Sequence, residues 1–254
     1  MKFTFLGTGT SQGVPVIGCQ CEVCHSKDAR DVRLRTSGLL QYDDTNILID
    51  AGPDLRQQML RHSIDSLDAV LLTHEHNDHL IGLDDLRPFI FKKSERCLKI
   101  YAIPRVLKEI RIRFAYAFID HPYPGAPRFE LIPIEYGKDF FVNNHKIKPI
   151  KVMHGQLDIA GFVFPELTYI TDCRFLDDEL IESIKGMDVL VLNALRREEH
   201  HAHLNLDQAL VLAKKLESKS TFLTHISHKM GLAEEWTRSL SDEVNMAFDG
   251  LKLY

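Results

Sequence analysis

Residues 74–79 read His74-Glu75-His76-Asn77-Asp78-His79, which places three imidazoles and two carboxylates in six positions. Neutral imidazole nitrogens and carboxylate oxygens are the donors that Zn²⁺ and Mn²⁺ accept. A histidine-rich surface turn would also be polar, but it would not require alternate residues of ligand type. One loop cannot fill the coordination of two cations. Three later apolar runs each end in a further donor: Val152-Met153-His154, Tyr169-Ile170-Thr171-Asp172 and Phe222-Leu223-Thr224-His225. A single histidine at a strand end is weak; a His, Asp, His series after the first cluster is a pattern. Asp50 closes a fourth run, Ile47-Leu48-Ile49, where it is either a carboxylate that orients a ligand imidazole or a simple helix-cap residue.

A second cluster differs in chemistry. Cys19-Gln20-Cys21-Glu22-Val23-Cys24 offers three thiolates, and a closed tetrahedral zinc site needs a fourth ligand. His25 is adjacent in sequence; His228 lies three residues after His225. The expectation is that zinc staples the irregular segment 12–37, which has few apolar anchors of its own. Cys97 and Cys173 belong to no pattern and read as small buried apolar residues. A last histidine group, His200-His201-Ala202-His203, precedes a helical run from Leu206. His200 and His201 read as exposed loop residues.

His-x-His-x-Asp-His, followed by His154, Asp172 and His225, resembles the metallo-β-lactamase fold superfamily. With the run Gly7-Thr8-Gly9-Thr10-Ser11-Gln12-Gly13-Val14-Pro15 and the cysteine cluster, the chain is similar along nearly all its length to the cyclic-phosphate phosphodiesterases of the carbon–phosphorus lyase pathway. The resemblance implies a four-layer αββα sandwich built from two similar halves. It implies two catalytic divalent metals, manganese or zinc. His74, His76 and His154 would hold one, Asp78, His79 and His225 the other, and Asp172 would bridge them. It also implies one structural zinc on Cys19, Cys21, Cys24 and His228. Two cations about 3.5–4 Å apart clamp the attacking and leaving oxygens of a displacement and ionise a shared water. The expected reaction is hydrolysis of a small phosphodiester, a cyclic ribose phosphate, by that shared hydroxide. Asp78 then counts as catalytic as well as ligating, and His203 matches a histidine that protonates the leaving oxygen or steadies the phosphate. A homodimer is also implied. Relatives of the same fold set two alternatives: a tRNA 3′-end-processing nuclease, or a non-hydrolytic protein of pyrroloquinoline-quinone synthesis.

The elements that must carry these residues are legible in outline. Ala69-Val70-Leu71-Leu72 is a short aliphatic run that predicts a buried strand, and Leu80, Leu83 and Leu86 have helical spacing. The first cluster therefore sits on a strand-to-helix loop. Runs at 38–42 and 46–50 around the turn Asp43-Asp44-Thr45 predict an antiparallel hairpin. A helix is expected from Ala51-Gly52-Pro53 through His62, with Pro53 in its first turn. Residues 84–130 read as mainly helical, with a strand at 98–101 and a loop at 121–125. Strands are expected at 130–134, 146–153, 161–164, 167–171, 188–193 and 221–224, helices at 177–184 and 206–216, and Asn205 as an N-cap. Residues 234–240 read as a helix, with terminal strands at 244–248 and 251–253. Arg111 and Arg113 read as solvated helix charges rather than substrate contacts.

Composition narrows the classes further. The chain has 254 residues, 44% hydrophobic and 26% charged, enough for one domain over 1–254 with a sizeable core. A formal charge of -5 speaks against a nucleic-acid surface, which shows basic clustering. No run reaches the length of a membrane span, and the apolar part of the first seven residues is too short for a signal peptide. Five cysteines, three of them clustered, suit a reducing compartment better than a disulfide framework, so a cytoplasmic location is expected.

Overall fold

Strand pairing, rather than helix content, organises the chain. The computed structural model describes residues 1–92, 97–121 and 123–254, the side chains of 237–239 excepted, so residue 122 of the expected 121–125 loop lies outside it. Two seven-stranded sheets face each other. The first comprises β1 (Lys2–Gly7), β2 (Ser37–Gln41), β3 (Asn46–Ile49), β4 (Ala69–Leu71), β5 (Leu98–Ala102) and β6 (Phe129–Pro133), with β14 (Lys252–Leu253) returning to its edge in the order β14-β1-β2-β3-β4-β5-β6. The second comprises β7 (Phe140–Val142), β8 (His145–His154), β9 (Leu157–Val163), β10 (Leu167–Ile170), β11 (Val189–Asn193), β12 (Ser220–Thr224) and β13 (Val244–Met246), in the order β13-β12-β11-β10-β9-β8-β7. The helices are α1 (Leu55–Arg61), α2 (Asn77–Leu80), α3 (Arg87–Lys92), α4 (Pro104–Arg113), α5 (Asp178–Ser183), α6 (Leu206–Leu216) and α7 (Ala233–Ser239). This is the αββα sandwich.

Local chemistry explains most boundaries. β2 and β3 pair antiparallel across the predicted turn, closed by Tyr42 N–H to the Thr45 carbonyl at 2.9 Å. β8 and β9 form a long hairpin around Gly155, whose φ of 60° a side chain would strain. α6 starts in a capping box: Asn205 accepts from Gln208 N–H at 3.0 Å, and Gln208 accepts from Asn205 N–H at 3.2 Å. α1 begins at Leu55, not at Ala51 as expected. Ala51 is instead tied to the next helix, donating to the His79 carbonyl at 2.6 Å and accepting from Gly82 N–H at 2.8 Å. β7 has no counterpart in the sequence reading; its three residues are too short for periodicity to register.

The main core fills the space between the sheets. Phe3 and Phe5 of β1 meet edge to face at 4.9 Å, and reach across to Tyr169 of β10 and Phe222 of β12 at 6.0 Å each. A second core lies between the second sheet and α5, α6 and α7, built on Ile181, Leu212, Leu216 and Trp236. No helix among the described residues is long and apolar enough to cross a membrane. Because Phe5 is buried against rings of both sheets, Phe5→Ala should destabilise the metal-loaded protein by about 3–5 kcal/mol. A denaturant midpoint that scarcely moves would contradict this placement.

Candidate metal centre

All the expected histidine and aspartate donors stand at one rim of the sandwich, because each follows or ends a strand there. β3 runs into Asp50, β4 into the 74–79 cluster, β10 into Asp172 and β12 into His225, while His154 is the last residue of β8. β3–β6 are parallel to one another, as are β10–β13, so these are carboxyl ends of parallel strands, where open α/β sheets place ligands. The cluster is not a simple loop: α2 begins at Asn77, so Asp78 and His79 already lie on a helical turn. Asp50, Asp172 and His225 have φ of 63°, 55° and 56°. A left-handed residue at a strand end turns its side chain out of the sheet's alternation, and strain of this kind gathers at functional sites.

The donors converge. His74, His76 and His154 present ligand atoms within 4.8 Å of one another, as do Asp78, His79 and His225. Asp172 joins the two groups. Its Oδ2 is 3.3 Å from His79 Nε2 and its Oδ1 is 3.2 Å from His225 Nε2, and it groups with His74 on one side and with His154 and His203 on the other. Asp78 Oδ2 lies 3.2 Å from His79 Nε2 and 3.9 Å from His225 Nε2. His203 is buried, with Nδ1 3.6 Å from Asp172 Oδ1. His201 is exposed as expected; His200 is only half-exposed, its ring 5.0 Å from that of His203.

Hydrogen bonds behind the rings set which nitrogen faces inward. His79 Nδ1–H donates to Asp50 at 2.7 Å, which is the orienting role considered for Asp50. Thr73 gives both its amide and its hydroxyl proton to Asp50, so its oxygen accepts from His74 Nδ1–H at 2.9 Å. His154 Nδ1–H donates to the Ala202 carbonyl at 2.9 Å. In each case the Nε2 lone pair is left toward the centre. His74 Nε2 and His76 Nδ1 face each other at 3.0 Å, and His79 Nε2 and both ring nitrogens of His225 are buried without a hydrogen-bond partner. Lone pairs aimed at one another repel unless cations lie between them, and those of His79 and His225 are buried without another partner, so these residues fit a divalent-metal pair.

Charge at the centre follows the same logic. Burial alone would raise the carboxyl of Asp172, yet the imidazoles of His225, His79 and His74 outweigh it and hold it well below the usual carboxylate range. Burial, reinforced by His79, pushes His74 far below the ordinary imidazole range. Burial and then His225 push His203 down to about 2, so its ring is neutral in the metal-free chain.

Several contributing residues carry no motif. A Cβ on Gly52 would stand 2.1 Å from the Asp78 carbonyl oxygen, and one on Gly82 2.0 Å from that of Gly52, so α2 can dock only against glycine. The Ala202 carbonyl could not be read from a side chain at all. Arg113 corrects the sequence reading: it is not a solvated charge but donates to the Glu75 carbonyl and to Asn77 Oδ1, the latter at 2.9 Å. Arg111 lies over the Phe118 ring at 4.9 Å.

The cysteine cluster resolves its own alternative. His228 Nδ1 is 3.2, 3.3 and 3.6 Å from the sulfurs of Cys19, Cys21 and Cys24, whereas His25 is exposed and outside this group. Three thiols and one imidazole nitrogen at this spacing suit tetrahedral zinc. The segment leading into this loop is further tied to the His225 end of β12 by Thr10 N–H to the Ile226 carbonyl at 3.1 Å and Ile226 N–H to the Thr8 carbonyl at 2.8 Å. Cys173 is buried as expected, and Cys97 is half-buried.

The beta-lactamase superfamily domain matches residues 45–226, and the chain belongs to that family, as a metallo-β-lactamase-fold protein. It is related to the PhnP group: it is similar to a diphosphatase of the PhnP family, with a TM-score of 0.92 and 38% identity, covering 100% of this chain and 97% of that one. An octanoyltransferase of Porphyromonas gingivalis is 42% identical over 254 residues, 99% of this chain and 51% of that protein, so the chain spans about half that relative's length. Zn²⁺-bound PqqB of Methylobacterium extorquens shares the fold, with a TM-score of 0.79 and 19% identity, covering 100% of each chain.

If zinc holds the 12–37 segment, Cys21→Ser should carry one fewer zinc per chain and unfold at lower temperature. Unchanged zinc content by elemental analysis would contradict the site. Asp50→Ala should weaken retention of divalent metal by about 10–100-fold against a chelator, since His79 loses its orienting partner; wild-type retention would show that Asp50 serves the backbone alone.

Proposed function

We propose that the chain is a metal-dependent hydrolase of small phosphodiesters, with a cyclic ribose phosphate as the substrate class. The observation that carries this reading is the convergence of seven donor side chains, Asp172 among them, with His203 beside it. The whole-length likeness to a PhnP-family diphosphatase supports phosphoryl chemistry. A small substrate is supported over nucleic acid by the net charge of -5, and by the use of Arg105 and Arg113 in contacts within the protein.

In this reading His74, His76 and His154 would hold one cation and Asp78, His79 and His225 the other, with Asp172 available to both. Bound divalent cations, manganese or zinc, would supply Lewis-acid stabilisation of phosphoryl charge and a lowered pKa for water. The chain's own residues do the rest. Asp50, Thr73 and the Ala202 carbonyl keep the imidazoles from turning, so little reorganisation accompanies reaction. Asp172 and Asp78 keep the centre from becoming too cationic to release a product phosphate. His203, neutral when the site is empty of anion, presents an N–H to an oxygen of the substrate. An anionic phosphoryl group beside it favours the imidazolium, so substrate binding itself prepares the proton donor. An alkoxide is a poor leaving group and needs that proton; an aryl oxide does not.

His203→Ala should therefore keep its metals and lose about 10²–10⁴ in kcat on alkyl or cyclic ribose phosphodiesters, with a smaller loss on bis-aryl phosphates. Equal losses on both would contradict proton donation. Metal-loaded protein inactive on cyclic ribose phosphates, diphosphate diesters and aryl phosphodiesters alike would overturn the reading in favour of a non-hydrolytic role.

A further inference from the structure

Within the cluster His74-Glu75-His76-Asn77-Asp78-His79 the ligand reading leaves two residues without work, Glu75 and Asn77. Both are taken up by α4. Arg113, its last residue, donates to the Glu75 carbonyl and to Asn77 Oδ1. Arg105, the second residue of the helix, donates through Nη1 to the Glu75 carboxylate. Its other branch, Nη2, donates to the Asp158 carbonyl at 2.5 Å.

The position of Asp158 gives this second contact its meaning. Asp158 pairs with Met153, and Leu157 with His154, at the closed end of the β8–β9 hairpin. One guanidinium thus joins the residue between His74 and His76, in the first half of the sandwich, to the hairpin that carries His154, in the second. These are the three histidines whose ligand atoms group together. They come from two sheets, and a second link between those sheets near them is Ala160 N–H to the Thr73 carbonyl at 2.9 Å. The guanidinium is suited to this by its planar fork, which fixes two acceptors at a set angle; a lysine ammonium, whose donors rotate, would fix no such angle. The Glu75 carboxylate is largely shielded, with 15% of its side chain exposed, so the pair is held in place rather than solvated apart.

The geometry points to Arg105 as a positioning residue that sets the spacing of His76 and His154, and so the affinity of the first cation site, without touching either ligand. This rests on the two-cation reading of the centre. It goes beyond that reading in assigning one site, and not the other, to control by Arg105. Asp78, His79 and His225 depend on α2 and β12 and have no contact with Arg105 among those described.

The test is graded chelator dialysis of the purified holoprotein with ions counted per chain, using Zn²⁺ as the probe. Arg105→Ala should release one histidine-centre ion at about 10–100-fold lower chelator than wild type, the scale seen when a residue behind a ligand is removed. The cysteine zinc should stay, which also reports that the chain is folded. Glu75→Gln, which removes the charge but keeps the shape, should shift the same ion in the same direction, and it carries the test if Arg105→Ala does not accumulate. In a His76→Ala background, Arg105→Ala should have no further effect on the ions that remain. Arg105→Ala releasing its ions as wild type does, or a further loss in the His76→Ala background, overturns the inference alone. Wild-type protein whose ion content does not respond to His76→Ala overturns the two-cation reading itself.

Discussion

The structure turns on one carboxylate, Asp172, buried at the meeting point of imidazoles from both halves of the sandwich. An ionised carboxylate out of water is costly unless positive charge surrounds it. Here the surrounding groups are imidazoles, which hold it ionised, and their inward ring nitrogens offer lone pairs that fit divalent cations. The left-handed backbone at Asp172 and His225 is the local strain that brings these groups together. The rest of the fold follows from that requirement. Two sheets have to present strand ends to the same rim, and the aromatic contacts of Phe3 and Phe5 with the opposite sheet hold those ends in register.

Support for the rings is spread across the chain and uses whatever group lies in place. Asp50 serves His79 and, through Thr73, His74; a backbone carbonyl from the 200–203 loop serves His154; α4 secures the backbone between His74 and Asp78. The 200–203 loop has two tasks, since it also carries His203 beside Asp172. The β12 end likewise serves two centres, His225 in one and His228 in the other, three residues apart. The cysteine cluster and the histidine centre are therefore joined by a very short piece of backbone.

Much of this was legible in the sequence because metal donors are few in type and strand ends are marked by apolar runs. His74, His76, Asp78, His79, His154, Asp172 and His225 were all found by that signal, and the structure brings them to one place. Spacing leaves the fourth ligand of the cysteine cluster open between His25 and His228, because it does not encode which distant loop packs back; it is the family resemblance that names His228. Arg113 looks solvated in the sequence because helical periodicity reports the side of a helix, not the loop that covers it. Ala202 contributes a carbonyl, and Gly52 and Gly82 contribute the lack of a side chain; neither has a residue-type signature. The late start of α1 has the same origin, in backbone contacts between Ala51 and α2 that propensity does not contain.

The central claim is that two divalent cations sit among these donors, sharing Asp172. Anomalous scattering from crystals of the metal-loaded protein, recorded at the zinc and manganese edges, addresses it most directly. The account predicts two adjacent peaks, one among His74, His76 and His154 and one among Asp78, His79 and His225, with Asp172 between them and a separate peak at Cys19, Cys21, Cys24 and His228. A crystal with the cysteine peak alone, grown from protein supplied with both metals, would contradict it.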